Sequence, residues 1–350
     1  MGAIAIDGRK IGKGQPVYVV AELSANHNQC FDEAVRLIHA AKEAGADAIK
    51  IQTYTPDTIT LDCDAEYFWI RGTVWDGRRL YDLYREAFTP WEWQPKLKAE
   101  ANSIGLPLFS APFDETAVDF LQEMGVPAFK IASFELVDVP LIRRVAATGK
   151  PMIMSTGMAM LEEIETAVSA ARSAGADQIA LLKCVSAYPA PADEMNLLTI
   201  PHLATTFGLE AGLSDHTLGT EVAVAAVALG ARIVEKHLTL SRDVEGPDSA
   251  FSLEPDEFRE MVSAIRTVES ALGAVTYGPS KSERPNITFR RSLFVVQDVA
   301  RGELFTPGNV RSIRPGHGLP PAALDRVIGK PAARNIERGT PLRWEDIDDN

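Results

Sequence analysis

One phrase recurs along the chain: an amphipathic helical stretch, a glycine near its end, a short apolar run, then polar residues. It appears in EAVRLIHAAKEAGADAIKIQTY, PKLKAEANSIGLPLFSAPFD, TAVDFLQEMGVPAFKIASFE and PLIRRVAATGKPMIMSTGM. It returns in EEIETAVSAARSAGADQIALLKCVSAYP, LTIPHLATTFGLEAGLSDHT and TEVAVAAVALGARIVEKHLTL. The glycine suits the left-handed position that ends a helix. The run after it is apolar on both faces, as a parallel strand covered by helices must be. With PVYVVAELSANH as the first strand and EPDEFREMVSAIRTVESALG as the last helix, the pattern predicts eight strands alternating with eight helices. A right-handed crossover series of that length, roughly 275 residues, closes into a (β/α)8 TIM barrel; a doubly wound open sheet is the alternative. The segment from Asp57 to Pro90 is long for a connection and rich in Tyr, Trp and Arg, so it is expected to pack over the barrel mouth. After residue 278 the phrase stops. A polar, proline-bearing linker follows at 279–288, and 289–350 carries short strands and turns, with VARGELFTPGNV and IERGTPLRWEDI reading as two copies of one unit.

In such a barrel the active site lies at the C-terminal ends of the strands, and polar residues crowd those positions. The first strand ends in Glu22, Ser24, Asn26 and His27, the second in Lys50 and Gln52, the third in Ser110, the fourth in Lys130 and Ser133. The fifth ends in Ser155 and Thr156, the sixth in Lys183, Ser186 and Tyr188, the seventh in Ser214, Asp215 and His216, the eighth in Glu235, Lys236 and His237. His216 and His237 therefore end adjacent strands, close enough to share one borderline divalent ion through neutral imidazoles; hydrogen-bonded structural histidines are the other reading. A barrel interior tolerates lysine only where the ammonium meets an anion, because an unpaired buried charge costs several kcal/mol. Lys50 and Lys130, beside Ser133 and Ser155, read as a cradle for phosphate and carboxylate, with structural ion pairs as the alternative. Lys236 is out of phase with Glu235 and His237 and is expected to face the helices. In the second module, RSIRPGHGLPP sets Arg311 and Arg314 on a rigid loop suited to a carboxylate.

Charge sharpens this picture. With 48 Asp and Glu against 35 Lys and Arg, the chain carries a net charge of -13, which argues against a nucleic-acid or anionic-membrane binder. Any anion must therefore be met by local positive charge. Cys30, Cys63 and Cys184 lie far apart with no metal-ligand spacing, as in a reduced, cytoplasmic chain; they read as packing residues. No stretch approaches the apolar length of a membrane span.

The ordered series AELSANHN, IKIQTYTPD, SAPFDETAVDFL, FKIASFEL, MSTGMA, CVSAYP, GLSDHT, EKHLTL, GPDSAFSLEP, RRSLF, RSIRPGHGL and ERGTPL resembles the bacterial sialic acid synthase family over nearly the whole chain. Within it, YTPDTITLDCDAEYF, TVWDGRRLYDLYREAFTPWEW and GPDSAFSLEP are most similar to the pseudaminic acid synthases, and the C-terminal module resembles the family's antifreeze-like (SAF) domain. The resemblance implies condensation of phosphoenolpyruvate with a free N-acetylated amino sugar, giving a nine-carbon 2-keto acid and phosphate. A sialic (N-acetylneuraminic) or legionaminic acid synthase is the alternative, and a metal-dependent aldolase a remoter one. It further implies that His216 and His237 hold a divalent metal, usually Mn2+, and that Lys50, Lys130, Ser133, Ser155, Ser186 and Ser214 bind phosphoenolpyruvate. Glu22 would transfer a proton, Asp248 contact the sugar, and Tyr188 and Phe113 line its pocket. Arg314 and Phe289 would act on the partner's barrel in a homodimer whose SAF domains cap the opposite subunit. Ala111 departs from the family, which usually has a hydroxyl residue near the phosphate, so Ser110 is a candidate substitute.

Overall fold

The computed structural model describes residues 4–348; the domain ends assigned above to 1–3 and 349–350 lie outside the described residues. The chain divides into two compact units, Met1–Gly273 and Ala274–Asn350. The first is the expected barrel. Its strands are β1 (Tyr18–Glu22), β2 (Ala48–Thr53), β3 (Leu108–Pro112), β4 (Phe129–Ile131), β5 (Met152–Ser155), β6 (Ile179–Cys184), β7 (Glu210–Asp215) and β8 (Ile233–His237). They pair in parallel in sequence order, and β8 closes the ring on β1. The principal intervening helices are α1 (Phe31–Glu43), α2 (Gln94–Ser103), α3 (Glu115–Met124), α4 (Val139–Ala146), α5 (Leu161–Ser173), α6 (Thr199–Phe207) and α7 (Glu221–Ala228), with α8 (Pro255–Leu272) last.

Local chemistry sets the helix ends. Asp114 caps α3 by accepting from the Thr116 and Ala117 amides at 2.7 and 3.1 Å. Pro255 opens α8 at a position where no amide hydrogen is needed. Val19 and Ala21 of β1 pack outward with Leu37, Ile38 and Phe258, whereas Tyr18 and Val20 pack inward with Phe109. This two-residue alternation decides which polar side chains reach the lumen.

A hairpin precedes the barrel. Ile4–Ile6 pairs antiparallel with Arg9–Ile11 around Asp7 and Gly8, both at positive φ, 48° and 77°, as a two-residue turn of this twist requires. Ile4, Ile6 and Ile11 are buried in the cluster that holds Tyr18 and Phe109, so the hairpin closes the N-terminal end of the barrel. The long connection after β2 forms the short helix Pro56–Ile59, a turn at Glu66–Phe68 and the helix Leu80–Ala87. It does pack over the mouth, through Trp75 against Tyr188.

In the second unit, Ser292–Val295 pairs antiparallel with Val310–Ile313. The two sequence copies meet there: Val299 and Ile336 exchange both backbone hydrogen bonds at 2.9 Å, and Val299, Phe305, Ile336 and Leu342 share one core. Among the described residues no helix is long and apolar enough to cross a membrane.

Candidate active site

Strand register assembles the site. Glu22 lies beside Lys50 on one side and His237 on the other; Ser214 lies beside Glu235 and Cys184. These side chains share the lumen face at the C-terminal ends of their strands. Lys50 Nζ lies 2.8 Å from Glu22 Oε2 and 2.9 Å from Glu235 Oε1. Lys130 Nζ donates to both Glu235 oxygens, at 2.7 and 2.9 Å, and Ser214 Oγ adds a third bond at 3.1 Å. All four charged groups are buried. The lysines thus sit in structural ion pairs while facing the lumen.

The two carboxyl groups are driven apart. Burial raises Glu22, and Lys50 only partly opposes it. Burial would raise Glu235 too, but Lys130 and Lys50 together hold it well below the usual carboxylate range. Such divergence is how one site keeps an acid and a permanent anion side by side. Glu22 Oε1 also accepts from the Ser24 amide at 3.0 Å and from Gln52 Nε2 at 3.3 Å. Gln52 reaches Ser24 Oγ at 2.9 Å, and Ser24 Oγ donates to Asp248, a buried carboxyl that desolvation raises. Glu22, Gln52, Ser24 and Asp248 form one polar wall.

Opposite stands an aromatic wall. The Tyr188 ring lies 4.4 Å from His216 and 5.0 Å from Phe251, and Phe251 lies 5.1 Å from His237. The two imidazoles are 5.3 Å apart between centroids. His216 Nδ1 donates to Val185 O at 2.9 Å, which leaves Nε2 as the nitrogen open to a metal; burial lowers the pKa of this ring, but Cys184 and the Val185 carbonyl outweigh it and raise the pKa overall. His237 Nδ1 is buried with no hydrogen-bond partner, and burial, then His216 and Lys50, lower its pKa well below the ordinary value, keeping the ring neutral. A ring nitrogen fixed by a carbonyl, as at His216, and a neutral ring, as at His237, are each features of metal-ligating imidazoles. The pair therefore fits a divalent ion. Among the described residues no set of three His, Cys, Asp or Glu side chains gathers around one point, so substrate oxygens or water would complete the ion's shell.

Two of the predicted serines, Ser133 and Ser186, meet at a glycine the sequence reading passed over. A Cβ on Gly157 would lie 2.3 Å from Ser186 Oγ and 2.6 Å from Ser133 Oγ; its amide donates to Ser133 Oγ at 3.2 Å. Ser155 Oγ is buried and has no partner. Phe113 packs on Tyr54 at 5.1 Å between centroids. Cys184 packs against His216 Nδ1 at 3.8 Å. Ser110 takes no place in the lumen: it is in register with Ile51, and its hydroxyl bonds Thr53 and Ile51 O behind the strand. It does not replace the hydroxyl absent at Ala111. Lys236 faces outward as expected, paired with Asp215 at 2.7 Å. Lys183 is also out of phase with the lumen and donates to Cys184 O. Arg314 and Phe289 lie in the second unit, both exposed.

Two further groups went unassigned in the sequence reading. Glu235 shares the strand phase of His237 two residues on, the signal that could have marked it. Glu135, in a turn after β4, is pushed up to about 7 by burial, with one carboxyl oxygen buried and unpartnered; a turn offers no periodicity to point at it.

Comparison with known proteins gives the chain's relatives. The NeuB family model matches residues 37–277 and the SAF domain model residues 290–348. A pseudaminic acid synthase of Helicobacter pylori is 43% identical over 95% of this chain and 98% of its own. One of Campylobacter jejuni is 45% identical over 95% and 96%. The crystal structure of an N-acetylneuraminic acid synthetase from Leptospira borgpetersenii, in complex with citrate, superposes with a TM-score of 0.73 at 32% identity, covering 81% of this chain and 95% of that one. With its barrel matched across the strands that bring Lys50, Lys130, His216 and His237 together, and its last module matched separately, this chain belongs to the NeuB family and carries a SAF domain.

Proposed function

We propose that the protein makes pseudaminic acid, condensing phosphoenolpyruvate with 2,4-diacetamido-2,4,6-trideoxy-L-altrose and water and releasing phosphate. The observation that carries this reading is the convergence of two buried ammonium groups and two metal-competent imidazoles on one barrel mouth. The identity to pseudaminic acid synthases across the chain chooses the sugar.

Phosphoenolpyruvate lies on Lys50 and Lys130, with Ser133, Ser155, Ser186 and Ser214 accommodating its oxygens; the unpartnered Ser155 hydroxyl and the close approach of the Ser133 and Ser186 hydroxyls over Gly157 favour this placement. Glu235 keeps both ammonium groups aimed at the lumen. His216 and His237 would hold the divalent ion, with Mn2+ the proposed metal, and the bound ion would polarise the aldehyde of the open-chain sugar. The enol carbon attacks that aldehyde, and Glu22, whose carboxyl pKa burial raises, supplies the proton to the resulting alkoxide. Water adds at C2, and the adduct collapses by cleavage of the C2–O bond, releasing phosphate. Asp248, Tyr188 and Phe113 hold the sugar. The reading includes a homodimer in which Arg314 and Phe289 serve the partner's barrel; their exposure in a separately folded unit is compatible with that. The three free thiols suit a cytoplasmic setting.

The test is turnover in 18O-labelled water with a panel of amino sugars. The expected label is at C2 of the keto acid, with product exchange controlled for, and none in phosphate. The altrose sugar should be preferred over the substrates of legionaminic and N-acetylneuraminic acid synthases. Labelled phosphate would contradict the chemistry, preference for another sugar would contradict the substrate, and turnover of pyruvate in place of phosphoenolpyruvate would indicate an aldolase.

A further inference from the structure

Resting on that reading, the geometry points to Trp75 as the residue that recognises the 6-deoxy end of the sugar; we propose that it sets selectivity there. The segment before the helix Leu80–Ala87 is a built strap. Ile70 holds its two sides together, its amide donating to Arg78 O at 2.9 Å and its carbonyl accepting from the Gly77 amide at 3.0 Å. Trp69 and Arg79 pair antiparallel. Arg79 binds Asp62, Asp64 and Asp82 at 3.0, 2.8 and 2.7 Å, tying the base of the strap together. At its tip Val74 is 56% exposed while the adjacent Trp75 is half-buried. The indole Nε1 donates to Pro247 O at 2.9 Å, next to Asp248, and its ring lies 5.4 Å from Tyr188.

Trp75 therefore extends the aromatic wall outward from the imidazoles. Two ring-to-ring steps, 5.4 and 4.4 Å, lead from the indole through Tyr188 to His216. An extended six-carbon chain spans about 6 Å from its aldehyde carbon to its last carbon. A sugar whose aldehyde is held at His216 and His237 and whose carbon chain runs along this wall brings its far end past the Tyr188 ring, where the indole edge begins. The indole's only polar atom is already satisfied by Pro247, so the indole face offers that end no hydrogen bond. A methyl group packs there at no polar cost, whereas a terminal hydroxyl loses water without a partner.

The experiment measures steady-state kinetics of the wild type, Trp75→Phe and Trp75→Ala with the 6-deoxy sugar and its 6-hydroxy counterpart at saturating phosphoenolpyruvate. Trp75→Ala should raise KM for the 6-deoxy sugar about tenfold or more, leave KM for phosphoenolpyruvate within about twofold, and reduce the preference for the 6-deoxy sugar. Trp75→Phe should retain most of that preference, and it serves as the test should the alanine variant fail to fold. Unchanged selectivity in folded Trp75→Ala, or equal loss on both sugars, would overturn the assignment. A wild type that turns over no 6-deoxy sugar would instead sink the proposed substrate, so the two failures are separable.

Discussion

Gly157 is the residue whose replacement tests the anion site most cleanly. A Cβ there meets two serine hydroxyls at 2.3 and 2.6 Å, and these hydroxyls are held on the strand ends that also carry Lys130 and Cys184. Gly157→Ala should raise KM for phosphoenolpyruvate by at least about tenfold, some 1.4 kcal/mol, with KM for the sugar changed far less; an unaltered phosphoenolpyruvate KM would place the anion elsewhere. His27 makes a pH prediction. Burial lowers it to about 4, and its ring is occupied by Thr89 Oγ1 at 3.1 Å and the Gln29 amide at 3.1 Å. The unfolded chain, with its histidine near 6.5, binds the proton first. The stability given by the neutral ring is thus present above about pH 6.5 and is lost as pH falls through about 4, by up to about 3 kcal/mol. Urea midpoints at pH 7 and pH 5 should differ less in His27→Gln than in the wild type; equal slopes would show that His27 does not titrate with folding. At this scale, strand phase made Lys236 legible as outward and His216 and His237 as neighbours. Phase could also have placed Ser110 behind the barrel, since it alternates with Ala111. The Lys50–Glu235–Lys130 pairing was not legible, because it joins three strands and no spacing within any one of them encodes it.

Elements were more legible than residues. Each barrel strand lies where an apolar run follows a glycine, because burial on both faces imposes that composition. The repeat in the second unit was likewise readable, since both copies must place the same apolar positions in one shared core. The N-terminal hairpin was overlooked although IAIDGRKI carries an Asp-Gly pair between alternating apolar residues, a strong turn signal. The hairpin should matter to stability and not to chemistry, since it closes the end of the barrel opposite the site. Ile6→Ala, at a fully buried position, should cost about 2–5 kcal/mol in chemical denaturation while kcat of the folded enzyme stays near the wild-type value. A large fall in kcat at full folding would mean that the hairpin's packing reaches the mouth. The strap carrying Trp75 lay between these cases. Its aromatic content and length announced a cover for the mouth, but which ring turns inward depends on a hairpin pinned by Arg79 through three separate carboxylates, a tertiary arrangement without periodicity.

At the scale of the whole molecule, a chain of net charge -13 is proposed to bind a multiply charged anion, so its cationic groups must be placed where the bulk field is overcome locally. Glu235 partly neutralises both Lys50 and Lys130. A further guanidinium would therefore supply charge that the barrel lumen itself does not, and Arg314, exposed in the second unit, is the candidate. If it serves the partner's barrel, each site draws Lys50 and Lys130 from one chain and Arg314 from the other. Arg314→Ala should then lower kcat/KM for phosphoenolpyruvate by about 2–4 kcal/mol, the scale of a desolvated charge pair across an interface. Lys130→Ala should be inactive for a separate reason, within its own lumen. Mixing the two variants under conditions of demonstrated subunit exchange forms heterodimers in which one site collects both lesions and the other collects neither. Activity should reappear in the mixture and grow with the heterodimer fraction, with phosphoenolpyruvate KM restored to the wild-type value at the intact sites. If Arg314 served its own barrel, every site in the heterodimer would carry one lesion, and exchange would restore nothing.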